Sequence, residues 1–292
     1  MIISNIIGGL GNQMFQYAVA RAISINNNIE MCLDVSNFEN YSLHNGFELD
    51  TIFNLNCHIA SKNDIKQVLG WRANTLIKKL LLRSHFAALR GNSFIVEPQV
   101  NYWPNIKNIP CDSYLIGYWL SEKYFQNIES LIREDFTFKT ELSKENKFSA
   151  LQIENSNSVS IHIRRGDIAQ NPTTLAVHGL CSIDYYKNAI RYITNIVESP
   201  SFYIFSDDME WVKKNLKIDH PCYFIDHNKG KDSYNDMRLM SLCKHNIIAN
   251  STFSWWGAWL NVNKNKIVVA PNKWFEAQIN SSDIIPETWI RL

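Results

Sequence analysis

The sequence has little net charge, and we expect neither an export signal nor a membrane anchor in it. Its 29 Lys and Arg residues and 28 Asp and Glu residues leave a formal net charge of +1. This balance excludes a global attraction to nucleic acid, so we expect no nucleic-acid partner. The N-terminal stretch MIISNIIGGLGNQMF has neither the basic region nor the long apolar region of a signal peptide. We therefore expect a cytoplasmic protein.

The common metal-binding patterns are also missing. The sequence contains no D-x-D, no C-x-x-C and no cluster of Cys and His at zinc spacing. Its six cysteines are scattered, and we expect reduced thiols in the core rather than disulfides. We therefore expect no bound metal and no other cofactor. A diphosphate ligand would then be neutralised by arginine and by helix dipoles.

What the sequence does contain is a regular alternation of strand and helix patterns. In the C-terminal half, the predicted strands are SVSIHI, SFYIFSDD, CYFID, NIIANS and KIVVAP, with KIVVAP as the last. The N-terminal half begins in the same way. This alternation predicts an α/β protein with two Rossmann-like domains, whose mainly parallel sheets face a central cleft. We place the domains at residues 1–150 and 151–292, because the polar stretch 139–158 is the best boundary candidate.

Four polar or glycine-rich stretches lie where predicted strands end, which is where ligands bind to parallel sheets. They are GGLG, HIRRGD, SDD and NSTFS. His162 and Arg164 share one face of their strand and can point at one ligand, whereas Arg165 lies on the other face. A planar guanidinium suits bidentate binding of a diphosphate. Arg164 is therefore the candidate diphosphate ligand, and Arg165 is the candidate for an ion pair within the protein.

The other three stretches also have purely structural interpretations. GGLG lacks the Gly-Lys-Ser/Thr of a P-loop, and Met14 stands where a dinucleotide fingerprint has its third glycine. It is therefore either a ligand loop or a tight turn. Ser206 and Asp207 could bind a nucleoside or cap the next helix. The hydroxyls of NSTFS suit a phosphate at a helix start, while the tryptophans that follow are favoured as core residues.

One basic segment interrupts the nearly neutral chain. Residues 71–90 hold five Lys or Arg residues and no acid, interleaved with apolar side chains. Such a segment can lie on an anionic membrane surface, although a solvated or core-packed helix is favoured. A peripheral contact with the inner face of the cytoplasmic membrane is the corresponding hypothesis.

Taken together, several motifs resemble the bacterial α-1,2-fucosyltransferases of glycosyltransferase family 11. The stretches that carry the resemblance are IIGGLGNQMFQYA, HIRRGD, LIGYWLSEKYF and HNIIANSTFSWWGAWL, and it runs from residue 6 to about residue 274. Ile168 departs from the family, which usually has tyrosine at that position. The segment AQNPTTLAVHGLC also looks individual, and it bears on the choice of acceptor.

The resemblance implies a GT-B-like fold and the transfer of L-fucose from GDP-fucose to the 2-hydroxyl of a terminal galactose. The transfer would invert the anomeric centre without a metal, on an O-antigen or a similar surface oligosaccharide. The C-terminal domain would mainly bind GDP-fucose, and the N-terminal domain would mainly serve the acceptor. The alternatives are a GDP-sugar-dependent fucosyltransferase with another linkage and a non-catalytic carbohydrate-binding protein.

By the same resemblance, Arg164 would hold the β-phosphate of GDP, and His162 and the SDD acids would serve the nucleoside. The implied donor-binding residues are Gly9, Gly11, Asn12, His162, Arg164, Asp207, Asp208, Asn250, Ser251, Thr252 and Phe253. The implied catalytic residues are Arg164 and Asp167. Asp167 is the first candidate for the catalytic base, and His178, Asp184 and Asp34 remain alternatives.

Overall fold

Two parallel β-sheets, one in each half of the chain, organise the structure. The computed structural model describes residues 1–40, 44–55 and 57–292, apart from the side chains of Asn40 and Asp167. The chain divides into two units, Met1–Lys139 and Thr140–Leu292.

The first unit is built on five parallel strands in the order β3-β2-β1-β5-β4. These strands are β1 (Ile2–Asn5), β2 (Met31–Asp34), β3 (His58–Ile59), β4 (Phe94–Val96) and β5 (Ser113–Ile116). Ile3 of the central strand is paired with Cys32 and Tyr114, and all three are buried in one cluster. The apolar residues of the strands therefore form the centre of this unit, and the polar residues lie at the strand ends.

The helices of the first unit lie between these strands along the chain, except for the last helix, which follows β5. They are α1 (Leu10–Asn27), α2 (Leu49–Ile52), α3 (Lys62–Leu69), α4 (Thr75–Leu81) and α5 (Glu129–Asp135). Short 3-10 helices cover Ser36–Asn40, Gly70–Ala73, Ser84–Leu89, Pro104–Asn108, Glu122–Tyr124 and Gln126–Ile128. Helix α1 is buried on most sides and ends at Asn28, whose left-handed backbone (φ 52°) lets its N–H bond back to the last turn. Helix α1 therefore belongs to the core of the unit.

The second unit contains six parallel strands in the order β11-β10-β9-β6-β7-β8. They are β6 (Asn157–Ile163), β7 (Pro200–Ser206), β8 (Cys222–Ile225), β9 (His245–Ile247), β10 (Val268–Ala270) and β11 (Ile290–Arg291). The prediction that KIVVAP is the last strand is wrong, because the two-residue strand β11 pairs with β10 at the edge of the sheet. A strand of two residues leaves no alternation to detect.

Helices follow or precede every long strand of the second unit. They are α6 (Lys144–Glu154), α7 (Gly166–Gln170), α8 (Pro172–His178), α9 (Ile183–Thr194), α10 (Met209–Asn215), α11 (Tyr234–Leu242) and α12 (Thr252–Leu260), with a 3-10 helix at Gly230–Asp232. Ser182 stands directly before the helical pattern of residues 183–194, which predicts a cap, and it caps α9 by accepting from Tyr185 N. The tryptophans at 255, 256 and 259 are buried, which confirms their assignment to the core.

The two faces of the second sheet carry different cores. Ile161 and Ile163 pack with α9 and α10, whereas His162 lies on the opposite face, near Phe253 of α12. The predicted alternation of faces along β6 is therefore confirmed. This alternation decides which of the residues at the end of the strand share a side of the sheet.

Helix α6 belongs to the second unit, so the units divide at Lys139, earlier than the predicted domain boundary at residue 150. The physical reason is a buried polar network that attaches α6. The amides of Asn146 and Asn228 exchange two hydrogen bonds of 2.8 and 3.0 Å, and Asn228 also donates to Asp236 of α11 at 2.8 Å. His227 contacts Asn146 at 2.9 Å. Breaking these bonds would leave buried polar groups without partners.

Within the described ranges, no helix combines the length and the apolar character needed to cross a lipid bilayer.

Candidate active site

The predicted donor-binding residues of the second unit gather at one edge of its sheet. Strands β9, β6 and β7 are neighbours, and all three are parallel. Their carboxyl ends therefore lie side by side, and they lead into Asn250 and Ser251, into Arg164, and into Asp207 and Asp208. This is the edge at which parallel α/β sheets bind ligands.

Arg164 and Asp207 form an ion pair at the centre of this edge. Arg164 Nε lies 3.2 Å from Asp207 Oδ2, and the two side chains are 26% and 31% exposed. An added Cβ at Gly166 would lie 2.9 Å from Asp207 Oδ2, so glycine at this position gives the carboxylate its room. The pair holds a cation at the strand end while leaving it accessible to solvent.

Arg165 contacts three side chains of the protein. Its guanidinium carbon lies 3.8 Å above the Trp211 ring, and its Nε lies 3.7 Å from Asp208 Oδ2. Its backbone N–H donates to Asp207 Oδ1 at 2.8 Å. A guanidinium stacked on an aromatic ring and facing a carboxylate is fixed in orientation. These contacts agree with the structural role that the strand alternation predicts for Arg165.

The two acids of SDD have different partners, and the residue that caps the next helix is neither Ser206 nor Asp207. Asp208 caps α10 by accepting from Trp211 N at 3.2 Å, whereas Asp207 faces Arg164. Ser206 Oγ donates to Ile163 O at 2.8 Å and accepts from Asp208 N at 3.0 Å. Of the two acids, Asp207 is therefore the one directed to the candidate site. The cap lies one residue later than expected because Ser206 fixes the turn.

His162 is a neutral imidazole under the same edge. Burial, together with the charge of Arg164, lowers the pKa of His162 to about 3. Its ring centroid lies 5.8 Å from that of Phe253. Among the described residues, its buried Nδ1 has no hydrogen-bond partner. A buried polar atom in that state costs free energy unless a ligand or water meets it.

The NSTFS stretch turns from β9 into helix α12. The Asn250 amide donates to His178 O at 2.8 Å and to Trp274 O at 3.1 Å, and its oxygen faces Cys181 Sγ at 3.4 Å. The Asn250 side chain therefore braces loops of the protein itself. Ser251 is the first residue before α12, and its hydroxyl does not cap the helix. The helix start and its N–H groups are thus presented at the strand edge.

In the first unit, GGLG forms the turn between β1 and α1. Gly8 has a φ of 81°, which favours glycine, and an added Cβ would lie 2.7 Å from Asn12 Nδ2. Gly9 precedes α1 in an extended conformation, and Gly11 is buried in its first turn. Gln13 stabilises the turn by donating to Gly8 O at 3.0 Å. The predicted loop residues Gly9, Gly11 and Asn12 therefore lie together at the start of a long helix.

A second glutamine joins this turn to the end of β5. Gln16 is fully buried, and its Oε1 accepts from Ile7 N at 2.9 Å while its Nε2 donates to Gly117 O at 3.1 Å. The polar side chains on the inner side of α1 thus hold the ends of two adjacent strands.

Glu97 is a half-buried acid at a strand end that sequence reasoning did not single out. It follows β4, and its two oxygens accept from Tyr118 N at 2.7 Å and from Trp119 N at 2.9 Å. Burial raises the pKa of Glu97 to about 7, although these two N–H groups act in the opposite direction. The available signal was an acid directly after the short apolar run FIV, which forms β4 in the structure.

The predicted catalytic bases differ in what the structure shows of them. The side chain of Asp167, the first candidate, lies outside the described residues. Asp34 is buried and engaged: Lys78 Nζ lies 3.2 Å from its carboxylate, and Tyr114 donates a short hydrogen bond to it. Burial alone would raise the pKa of Asp34, but hydrogen bonds from Ser36 and Tyr114 and the charge of Lys78 lower it. Asp34 is therefore a structural anion.

The two candidates in the second unit lie on or near its surface. Asp184 is 80% exposed in the first turn of α9 and lies 4.0 Å from Lys187. His178 ends α8, and its ring centroid is 5.6 Å from that of Phe275. Among the described residues, no group of three or more His, Cys, Asp or Glu side chains could hold a metal ion.

Two α/β units with parallel sheets define a GT-B-like glycosyltransferase fold. The solved structure of NodZ α-1,6-fucosyltransferase from Bradyrhizobium, soaked with GDP-fucose, shares this fold. Its TM-score is 0.56 at 12% sequence identity, over 89% of this chain and 91% of that chain. This similarity concerns the fold alone.

The sequence itself identifies the family. The profile of glycosyl transferase family 11 matches residues 1–292, and the chain belongs to this family. It is 38% identical to an α-1,2-colitosyltransferase of Escherichia coli, over 100% of this chain and 99% of that protein. It is 34% identical to the O-antigen biosynthesis glycosyltransferase WbnK of Escherichia coli, over 98% of both chains. The family resemblance of the motifs is therefore confirmed, and the protein is a glycosyltransferase.

Proposed function

We propose that the protein transfers L-fucose from GDP-fucose to the 2-hydroxyl of a terminal galactose, with inversion at the anomeric carbon. The observation that carries the proposal is the similarity, over the whole chain, to a relative named for α-1,2 transfer, together with the family 11 match of this chain. The ion-paired arginine at the end of β6 supports it, because a leaving diphosphate needs a fixed cation.

Arg164 acts on the leaving group in this proposal. When the bond between fucose and the phosphate oxygen breaks, negative charge develops on the β-phosphate of GDP. A guanidinium can donate two parallel N–H groups to phosphate oxygens. Because the charge is larger in the transition state than in the bound donor, this contact accelerates transfer rather than only tightening binding. Arg164 is therefore assigned to catalysis as well as to donor binding.

The second unit would bind the nucleotide, and the first would mainly serve the acceptor. The neutral ring of His162 and the carboxylate of Asp207 are the nucleoside candidates, since both lie at the strand edge that holds Arg164. Asp208, Ser251, Thr252 and Phe253 contribute the capped turn and the start of α12. The GGLGN turn of the first unit is a further candidate for a phosphate contact, because it opens a helix at a strand end.

A second donor sugar has a specific observation in its favour. One full-length relative is named a colitosyltransferase, and colitose is L-fucose without its 3-hydroxyl. A site that hydrogen-bonds this hydroxyl rejects the sugar that lacks it, whereas an apolar site discriminates weakly. GDP-colitose is therefore the second candidate donor, with the same linkage and the same leaving group.

The proposed acceptor is a galactose-terminated oligosaccharide of a bacterial surface polysaccharide. The relative named for O-antigen biosynthesis supports this class of acceptor. No metal takes part in the proposal, because Arg164 and the start of α12 supply the positive charge. A lectin would bind such a glycan without consuming a nucleotide sugar, so turnover separates the two functions.

The proposed place of action is the cytoplasm, with a peripheral contact to the inner face of the cytoplasmic membrane. Two features of residues 71–90 support the contact. Trp71 and Leu76 are 55% and 77% exposed, and Lys79 and Arg83 are exposed beside them. Lys78 forms an ion pair with Asp34 and is therefore not counted among the residues of the proposed membrane contact. Sedimentation with phosphatidylglycerol vesicles tests the contact, and equal binding to phosphatidylcholine vesicles or to neither would contradict it.

Product analysis tests the proposed reaction. The protein is incubated with a β-galactoside and either GDP-fucose or GDP-colitose, and the product is examined by NMR. We expect an α-linked 6-deoxysugar on O2 of galactose. A product linked to O3 or O6 would refute the proposed linkage. Release of GDP without a new glycoside, or no turnover of either donor, would refute the proposed transferase activity on galactosides.

A further inference from the structure

The first unit places an acid at the sheet edge where its glycine-rich turn lies. Glu97 follows β4, and residues 117–119 follow the neighbouring strand β5. Gln16 joins this edge to the GGLG turn through its bonds to Ile7 N and Gly117 O. The carboxylate and the turn are therefore parts of one braced surface, at the edge where parallel sheets bind ligands.

The backbone around Glu97 is arranged to hold its carboxylate. Trp119 has a φ of 56°, which is strained for a bulky aromatic residue, and this conformation accompanies two consecutive N–H groups directed at Glu97. An added Cβ at Gly117 would lie 2.4 Å from Glu97 Cβ and 2.6 Å from its Oε2. The stretch LIGYW thus packs around the Glu97 side chain. It belongs to LIGYWLSEKYF, the one family motif that has no assigned part in donor binding.

The two hydrogen bonds occupy only part of the carboxylate. Each oxygen accepts one N–H group, and a carboxylate offers about four acceptor sites. Burial keeps the pKa of Glu97 near 7. Within the described ranges no cation forms an ion pair with Glu97, and the titratable group that faces it is the Tyr118 phenol. Asp34, at the end of β2, is in contrast neutralised by Lys78.

We propose that Glu97 binds the acceptor hydroxyl and takes its proton. The inference rests on the proposed function and assigns to Glu97 the role of base, for which the family resemblance implies Asp167 as first candidate. The proton of the acceptor hydroxyl moves to a Glu97 oxygen, and the hydroxyl oxygen bonds to C1 of the donor sugar. The bond from C1 to the phosphate oxygen breaks, and its electron pair leaves with GDP. Glu97 then releases the proton to water.

A carboxyl group with these properties suits the task. A general base works best when its pKa lies near the working pH, and its contribution is about 10²–10⁴-fold. A fixed position of the carboxylate also matters, because a side chain that is already oriented loses no conformational entropy when the reaction starts. The N–H groups of Tyr118 and Trp119 and the hydrogen-bonded strand ends fix the carboxylate in this way.

The test compares Glu97→Gln with a matched control, Glu48→Gln. Glu48 is a buried acid of the same unit whose pKa is also raised by burial, and its carboxylate accepts from Asn45. Turnover, GDP affinity and the pH dependence of kcat/KM are measured for both variants and for the wild type. We expect Glu97→Gln to lower kcat by at least about 10²-fold and to leave GDP affinity unchanged. The control should retain turnover.

The pH profile separates a base from a structural acid. In the wild type, kcat/KM should rise with pH through about 7, because Glu97 must lose its proton to act. This acid limb should disappear in Glu97→Gln. If Glu97→Gln does not fold, the pH dependence of the wild type still tests the proposal. A kcat/KM that stays constant between about pH 5.5 and 8 overturns it. Loss of GDP binding together with turnover in Glu97→Gln also overturns it.

Failure of the proposed function gives a different result. If the wild type turns over neither donor, the transferase proposal fails, whereas retained turnover in Glu97→Gln refutes only the base. A carboxyl ¹³C titration needs no turnover, and the Glu97 signal is assigned by its absence in Glu97→Gln. We expect it to shift when a galactoside is added with GDP. A signal that does not move refutes the acceptor contact.

Discussion

Replacement of Arg164 by lysine tests the donor site most directly. Arg164→Lys keeps the charge but removes the planar fork that binds two phosphate oxygens. Losing one preorganised donor at a developing anion costs about 2.7–4 kcal/mol of transition-state stabilisation, which is about 10²–10³-fold in kcat. The acceptor KM should stay near the wild-type value, because the lost contact strengthens only as the leaving group forms.

Arg165→Lys is the matched control, since the chemical change is the same one residue later. Arg165 stacks on Trp211 at 3.8 Å and faces Asp208. Losing most of that stacking should cost about 1 kcal/mol of folding stability. In a unit of this size, that corresponds to a drop in Tm of about 2–4 °C. Turnover per folded molecule should change little.

Steady-state kinetics, GDP titration and melting curves for both variants decide the assignment. If Arg165→Lys abolishes GDP binding while Arg164→Lys turns over normally, the roles of the two arginines are reversed. If neither variant alters GDP binding or turnover, the phosphate role of this strand end is wrong.

Two further predictions concern metal and pH. Activity should persist in excess EDTA, because the positive charge comes from Arg164 and α12; complete loss that Mn²⁺ or Mg²⁺ restores would contradict this. Burial raises the pKa of Asp236 to about 7, against the opposing effects of Asn228 and Lys229 and with a contribution from Asp226. The folded state therefore holds a proton that the unfolded state has lost, so stability should fall as pH rises from about 4 to 7. Asp236→Asn should remove roughly 1–3 kcal/mol of that fall in urea unfolding, and equal slopes in both proteins would count against it.

The parts of the structure that depend on local pattern could be predicted from the sequence. The apolar alternation of SVSIHI determines both the strand and its two faces, so the opposite positions of His162 and Ile163 followed directly. The cap at Ser182 needed only its neighbours. The family resemblance added what local patterns do not contain, namely the reaction class.

The parts that depend on distant partners could not be predicted. Glu97 could not be singled out from the sequence, because the N–H groups that hold its carboxylate belong to Tyr118 and Trp119, which follow β5. Asn250 matches a ligand motif, yet its side chain is occupied by backbone groups of loops that are far away in sequence. Helix α6 joins the second unit through Asn146, whose partner Asn228 follows three intervening strands. No short window of sequence contains such pairs.

In the proposed reaction, in which Arg164 holds the diphosphate, its contact with Asp207 has a consequence for the whole catalytic cycle. The cation already has an anionic partner in the structure, 3.2 Å away. An arriving diphosphate must share the guanidinium with that carboxylate or displace it, so part of the attraction is offset before the donor is seated. The same carboxylate reclaims the guanidinium when GDP departs. In the proposed cycle, Asp207 is thus an internal competitor of the diphosphate: it weakens the binding of the donor and favours the release of GDP.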